Sequence, residues 1–196
     1  MSRAWAMPSA DTFSVPPIGD MVRRHLRGLS VDPFARNQRL ATITNDLNPD
    51  TSAEFHKDAV SFLSELDVVA DVVLFDPPYS PRQISECYQA AGLTASMADT
   101  QNARLYADCR RAIRRICRKG TTVLSFGWNS AGMGEGFRLD ELLLVCHGGA
   151  HNDTICLVET MVEYQEPLIT DRRTAPADAR SDETKQSEGI DKEHSK

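Results

Sequence analysis

The sequence predicts an α/β protein built on a mixed, mostly parallel sheet, and three observations carry that prediction. Val72-Val73-Leu74-Phe75 is a short apolar run, partly β-branched or aromatic, of the kind a strand buried on both faces needs. The residues after it, Asp76-Pro77-Pro78, stop it at once, because proline donates no ladder hydrogen bond and restricts its predecessor to extended backbone. Towards the C-terminus, the strand-like runs Leu142 to Cys146 and Thr154 to Thr160 flank Gly148-Gly149-Ala150-His151-Asn152-Asp153. That is a hairpin signal with a loop longer than the tight two-residue kind. Strands alternating with helices and closing on an antiparallel hairpin describe a doubly wound sheet.

The elements follow in order. Residues 1–12 read as a flexible lead. A helix from about Gly19 to Arg27 should stop at Gly28, a usual helix terminator. Strands follow near 29–32 and 41–45, with a short one near 54–57. A helix over 59–66 leads to the strand at 72–75. Helices over 81–91 and 102–118 precede Thr121-Thr122-Val123-Leu124-Ser125-Phe126, rich in β-branched residues, and then the hairpin. The folded domain is therefore expected over residues 13–166. Residues 167–196 are polar and charged with few apolar side chains, a composition that predicts disorder.

Composition excludes several classes. The chain has 196 residues and is 41% hydrophobic, about one domain with enough apolar material for a core. No apolar run approaches the roughly 20 residues needed to span a bilayer, and the N-terminus lacks the charged-then-apolar pattern of a secretory signal. Five cysteines, an odd count with no C-x-x-C pair, argue against a disulfide framework and for a reduced, cytoplasmic setting. The net charge of -6 is unfavourable for contacts to a phosphate backbone, although the segment from Asp171 holds many of the acids.

The chemistry concentrates after residue 75. The Asp76 carboxylate and the Pro77 and Pro78 carbonyls form a rigid set of hydrogen-bond acceptors, and such a set suits an amino group. Tyr79 adds a flat π-face on which a base can stack. The edge beyond the carboxyl ends of the strands is where ligands bind in open α/β sheets. An ordinary strand-to-loop turn is the plainer reading of any Asp-Pro, but it does not account for the whole tetrapeptide.

Two further clusters stand out. Arg104, Arg110, Arg111, Arg114, Arg115, Arg118 and Lys119 either meet a phosphate backbone or form a solvated face with cations near a helix C-terminus, and the second reading is preferred. Cys146, His147, His151 and Cys156 are metal-ligand residue types, but adjacent strand residues point to opposite faces, so no metal site is expected. The histidines of that loop, with Asn152 and Asp153, are placed instead at the mouth of the substrate site.

Phe75-Asp76-Pro77-Pro78-Tyr79 resembles the catalytic motif of amino methyltransferases that use S-adenosylmethionine, in the form typical of adenine-specific DNA methylases. Other segments resemble that family's landmarks in order. Ser30-Val31-Asp32-Pro33-Phe34-Ala35 is similar to the first cofactor motif, and Ile43-Thr44-Asn45-Asp46-Leu47-Asn48 to the second strand. Lys57-Asp58-Ala59 is similar to the segment placing an acid near the cofactor adenine, and Pro16-Pro17-Ile18 to the helix start that closes over the methionine end. The resemblance covers roughly residues 13–162. It implies a Rossmann-like methyltransferase fold with a seven-stranded sheet, and S-adenosylmethionine as cofactor. It further implies Asp76, Pro77, Pro78 and Tyr79 as catalytic residues, with the cofactor held by Pro17, Ile18, Asp32, Pro33, Phe34, Asp46, Asn48 and Asp58. The implied reaction is direct methylation of N6 of adenine in DNA; RNA or a cytosine amine could use the same pocket, and a partner subunit that no longer holds cofactor is a further alternative.

One departure sits in the first motif. Ala35-Arg36-Asn37-Gln38 has no glycine, and Asn37 is the residue expected to take any left-handed conformation the loop requires. The chain also lacks a segment long enough for a separate recognition domain. Its longest irregular stretches are residues 92–102, residues 127–140 and the tail. A short or relaxed target read by those loops follows, or else a homodimer or second subunit that supplies recognition. Trp128, in the glycine-rich stretch, either stacks on substrate or anchors its loop to the core.

Overall fold

In the computed structural model, which describes residues 1–97 and 99–163, a seven-stranded sheet has the order β1-β6-β7-β5-β4-β2-β3. The strands are β1 (Ser2–Trp5), β2 (Ser30–Asp32), β3 (Ile43–Thr44), β4 (Val72–Phe75), β5 (Thr122–Gly127), β6 (Phe137–Cys146) and β7 (Thr154–Met161). The helices are α1 (Pro16–His25), α2 (Ala59–Glu65), α3 (Pro81–Ala90) and α4 (Asn102–Arg115). β7 is antiparallel to both of its neighbours, β5 and β6, whereas every other pairing is parallel. Six strands therefore deliver their carboxyl ends to one edge of the sheet.

Alternation along β4 explains why the sheet is covered on both faces. Val72 and Leu74 pack into a cluster with Phe13, Ile18, Met21 and Val22 from the α1 side. Val73 and Phe75 pack into a second cluster with Phe62 and Leu63 of α2, Cys109 and Ile113 of α4 and its C-cap Ile116. All four β4 residues are buried, as a two-sided apolar run requires. Truncating Leu74, fully enclosed, to alanine would cost about 2–5 kcal/mol from lost burial and the cavity left behind.

The elements depart from the sequence expectation at four places. Residues 1–12 are not a flexible lead: Ser2–Trp5 forms edge strand β1, in register with Leu143 to Cys146. The short strand near 54–57 reduces to one bridge, Asn45 to Phe55. The expected seven strands are thus reached with a different member. α1 starts earlier than Gly19, because Pro16 and Pro17 at its first turn have no amide hydrogen to leave unsatisfied. β6 begins at Phe137, inside the stretch read as irregular up to 140, and a register shift lies between Leu139 and Glu141. The expectation for residues 167–196 falls outside the described residues.

The arginines of α4 and the turn after it serve mainly within the domain. Arg115 Nη1 donates to Ser64 O at 2.8 Å, and Arg118 pairs with Asp71 at 2.9 Å. Arg114 Nη2 donates to the carbonyls of Met133 and Glu135. Arg104 and Arg111 both pair with Asp108. Among the described residues, no helix is long and apolar enough to cross a membrane.

Candidate active site

The loop after β4 is fixed by its own chemistry. Two prolines hold residues 76–78 extended, and α3 starts immediately afterwards with Ser80 as its N-cap, accepting from the Gln83 amide at 3.2 Å. Gln83 turns back to accept the Tyr79 amide at 2.6 Å. The Tyr79 hydroxyl donates to Asp76 Oδ1, and Thr12 forms a second side-chain hydrogen bond with the same carboxylate. Asp76 is half-buried, and loss of water raises its pKa to about 6, against the lowering effect of those two bonds and of the Arg36 charge. At neutral pH it is predominantly ionised, and hence an acceptor.

The neighbouring strand ends supply a second set of groups. Asp46, just past β3, accepts the Arg36 amide at 3.0 Å and the Asn48 amide at 2.9 Å, which leaves lone pairs on both oxygens for a ligand. Asp32, at the end of β2, is buried; its Oδ1 accepts the Phe34 amide at 3.0 Å, while Oδ2 has no hydrogen-bond partner among the described residues. Burial, with smaller contributions from the Asp76 and Asp46 charges, holds the Asp32 carboxyl well above its usual range. The left-handed residue of this loop is Arg36, with φ of 51°, not Asn37. Asn37 instead binds Ser52 through its side-chain and main-chain oxygens. The Arg36 guanidinium reaches Ala10 O, and Gln38 reaches Asp11, so the loop grips the segment before α1.

Between these two sets lies a cavity of about 560 Å³. Its lining brings together Phe34, Asp46 and Asn48 with Asp76, Pro77, Pro78 and Tyr79, seven of the residues singled out from the sequence. Pro33 and Asp58 line a smaller recess of about 60 Å³, which shares Phe34, Asp46 and Pro78 with the main cavity. Asp58 also caps α2, accepting the Ser61 amide at 3.0 Å, so its carboxylate has a local structural role. Asp32 is not part of either lining, and neither is Pro17. Ile18 is fully buried against the core and borders a third chamber of about 180 Å³.

No protein-family model and no curated protein matches the chain. Solved structures do. TrmN from Thermus thermophilus aligns with a TM-score of 0.52 at 16% identity, over 76% of this chain and 49% of TrmN. NSun6 from Pyrococcus horikoshii, solved with SFG, aligns with a TM-score of 0.52 at 12% identity, over 80% of this chain and 53% of NSun6. The yhhF protein from Escherichia coli aligns with a TM-score of 0.51 at 9% identity, over 80% of this chain and 92% of yhhF. The fold is a methyltransferase fold. This chain spans about half the length of the first two structures.

Within that methyltransferase fold, the third chamber lies beside the main one and shares Thr12, Tyr79 and Gln83 with it. His147, His151 and Asn152 of the β6–β7 turn line it, as does Trp128. The two aromatic rings meet edge to face, with centroids 5.5 Å apart. Trp128 is 41% exposed, so it packs on Tyr79 rather than anchoring in the core. His147 is buried with both ring nitrogens engaged, one by Ala6 O and one by Thr154 Oγ1, each at 2.9 Å. Cys146 Sγ accepts from Arg3 Nε at 3.0 Å.

Three contributors were not visible in the sequence. Thr12 lay in a segment read as lead, and no motif marks it. Gln83 is an ordinary helix residue until its side chain is seen to hold Tyr79. Glu159 is a buried carboxylate on β7 that accepts the Met133 amide at 3.0 and 2.9 Å and so holds the glycine-rich loop. A side chain at Gly132, where φ is 55°, would lie 2.4 Å from Glu159 Oε1. An acid at an alternating position of a strand was the available signal for Glu159.

Proposed function

We propose that this chain transfers a methyl group from S-adenosylmethionine to the N6 amine of adenine in DNA. One observation carries the reading: Asp76, Pro77, Pro78 and Tyr79 face Phe34, Asp46 and Asn48 across one cavity at the carboxyl edge of the sheet. Its volume of about 560 Å³ suits a cofactor of nucleoside size. The donor set fits as well. Asp46 and Asn48 offer acceptors for a ribose diol, and Phe34 an aromatic face.

When bound, S-adenosylmethionine supplies a methyl group activated by its sulfonium. The protein's part is positional and electrostatic. The target base is turned out of the helix and stacks on Tyr79. Asp76 and the Pro77 carbonyl accept the two amine hydrogens and so aim the nitrogen lone pair at the methyl carbon. Attack by that nitrogen would displace the carbon–sulfur electron pair onto sulfur, the chemistry S-adenosylmethionine would supply when held by Phe34, Asp46 and Asn48. The surplus amine proton passes to Asp76, whose pKa of about 6 lets it receive and release a proton near neutrality.

Two features favour other readings. The acceptor set serves an RNA adenine or a cytosine amine as well as a DNA adenine. The glycine-free turn at Arg36 favours a subunit that no longer holds cofactor. Calorimetry with S-adenosylmethionine separates the enzymes from the subunit: an enzyme binds it, the subunit does not. Nucleoside analysis after incubation with DNA or RNA then identifies the acceptor, and N6-methyldeoxyadenosine at many short sites is the expected product. Modification of one long, well-defined sequence by the isolated chain would contradict the small recognition surface, as would modification of RNA alone contradict the DNA reading.

A further inference from the structure

The 180 Å³ chamber has walls far more firmly held than its exposed loops suggest. One wall is the β6–β7 turn and another is the segment between β1 and α1. His147 joins them: its ring binds Ala6 O on one side and Thr154 Oγ1 on the other, each at 2.9 Å. Asp153 Oδ1 accepts the His147 amide at 3.1 Å, and the Ala6 amide donates to Cys146 O at 3.2 Å. The turn is thereby braced at both ends, at His147 and at Asp153-Thr154, the latter directly after Asn152. Such bracing is what a site requires to hold a ligand group in one position.

Asn152 itself is exposed and lines the chamber, and among the described residues its side-chain amide has no hydrogen-bond partner. Tyr79 and Trp128 line the same chamber, and their edge-to-face contact forms an aromatic corner. A flat base seated on that corner, with its amine at Asp76, would turn a ring edge towards the turn. Adenine carries acceptor nitrogens beside its amine, whereas guanine places a carbonyl where the amine would be. An asparagine amide provides a donor that suits the adenine pattern.

We infer that Asn152 is a specificity residue, which donates a hydrogen bond to a ring nitrogen of the turned-out adenine, while His147 is the positioning residue that holds the turn. This assignment rests on the proposed adenine methyltransferase activity. The test compares wild type, Asn152→Ala and Asn152→Asp on one oligonucleotide duplex whose target base is adenine, 1-deazaadenine or 7-deazaadenine. For adenine, Asn152→Ala should lower kcat/KM roughly fivefold, the effect of losing one neutral hydrogen bond. Asn152→Asp should lose more, because its carboxylate only accepts. The alanine penalty should vanish on whichever deaza analogue lacks the accepting nitrogen, with the affinity for S-adenosylmethionine unchanged throughout. Equal penalties on all three bases, or no penalty on adenine, would overturn the role of Asn152. Failure of the wild type to methylate adenine would instead overturn the activity and this inference with it.

Discussion

The ends of β4 and β2 lie side by side, and each carries a buried or half-buried aspartate, but the chain has equipped them oppositely. After β4, two prolines stiffen the backbone, and Tyr79 and Thr12 bond the Asp76 carboxylate, so burial lifts its pKa only to about 6. After β2, a turn without glycine runs through a left-handed Arg36, and Asp32 keeps a single amide bond and an oxygen unpartnered among the described residues. Its carboxyl is held well above the ordinary range, and desolvation is the main cause. Hydrogen bonds to the charged form make the difference. The β4 aspartate is ready to accept hydrogens near neutral pH. The β2 aspartate, enclosed and bonded by one amide alone, has its carboxyl pushed upwards by burial.

The largest expected effect falls on the β4 side. Asp76→Ala should reduce methyl transfer by about 100-fold or more, as loss of a preorganised electrostatic group typically does; incorporation of labelled methyl into DNA measures it. Wild-type rates would remove Asp76 from the chemistry. Tyr79→Ala should weaken binding of the substrate by about 1–3 kcal/mol, the contribution of one stacked base, seen as a raised KM. If KM holds steady, the base does not stack there.

Acid should act on the same side. Because the Asp76 pKa is raised to about 6, the carboxylate proposed to accept the amine hydrogens is present above that pH and lost below it. The transfer rate should therefore fall as pH drops through 6, by about tenfold per unit. Stability has the opposite sign: a raised folded-state pKa favours the protonated protein, so the cost of an ionised Asp76 grows as pH rises from about 4 to 6. Urea unfolding of Asp76→Asn against wild type should show a gap in the variant's favour that widens from pH 4 to pH 7. A gap of constant width would mean that burial does not perturb this group.

The smallest effect is expected on the β2 side. Arg36→Gly relieves a left-handed non-glycine residue, a conformation that costs about 1–2 kcal/mol, but it also removes the tether to Ala10. The two nearly offset, and stability by urea unfolding should change by no more than about 1 kcal/mol. A larger loss would give the tether to the N-terminal segment more weight than the turn.

The contrast also explains what the sequence made legible. β4 was bounded correctly at both ends because four apolar residues meet two prolines, a signal that local chemistry alone determines. β1 was missed because Ser2-Arg3-Ala4-Trp5 is an edge strand with mostly exposed side chains, and what makes it a strand is the backbone of Leu143 to Cys146, distant in sequence. The cavity-lining set Asp46, Asn48, Asp76 and Tyr79 was readable from motif resemblance. Thr12, Gln83 and Glu159 were not, because each acts through a partner that only the fold brings close. The left-handed position was assigned to Asn37 on intrinsic preference, but Asn37 is committed to Ser52 and Arg36 takes the turn.

The proposed division of labour between the Asp76 side of the cavity and the Asp46 side, past β3, is tested most directly by calorimetric titration of S-adenosylmethionine into Asp76→Ala and Asp46→Ala in parallel. Asp76→Ala should bind it within about threefold of the wild type. Asp46→Ala should bind at least about tenfold more weakly, the loss of 1.4 kcal/mol or more that a charge-assisted hydrogen bond commonly represents. The reverse pattern, with affinity lost at Asp76 and kept at Asp46, would contradict the account.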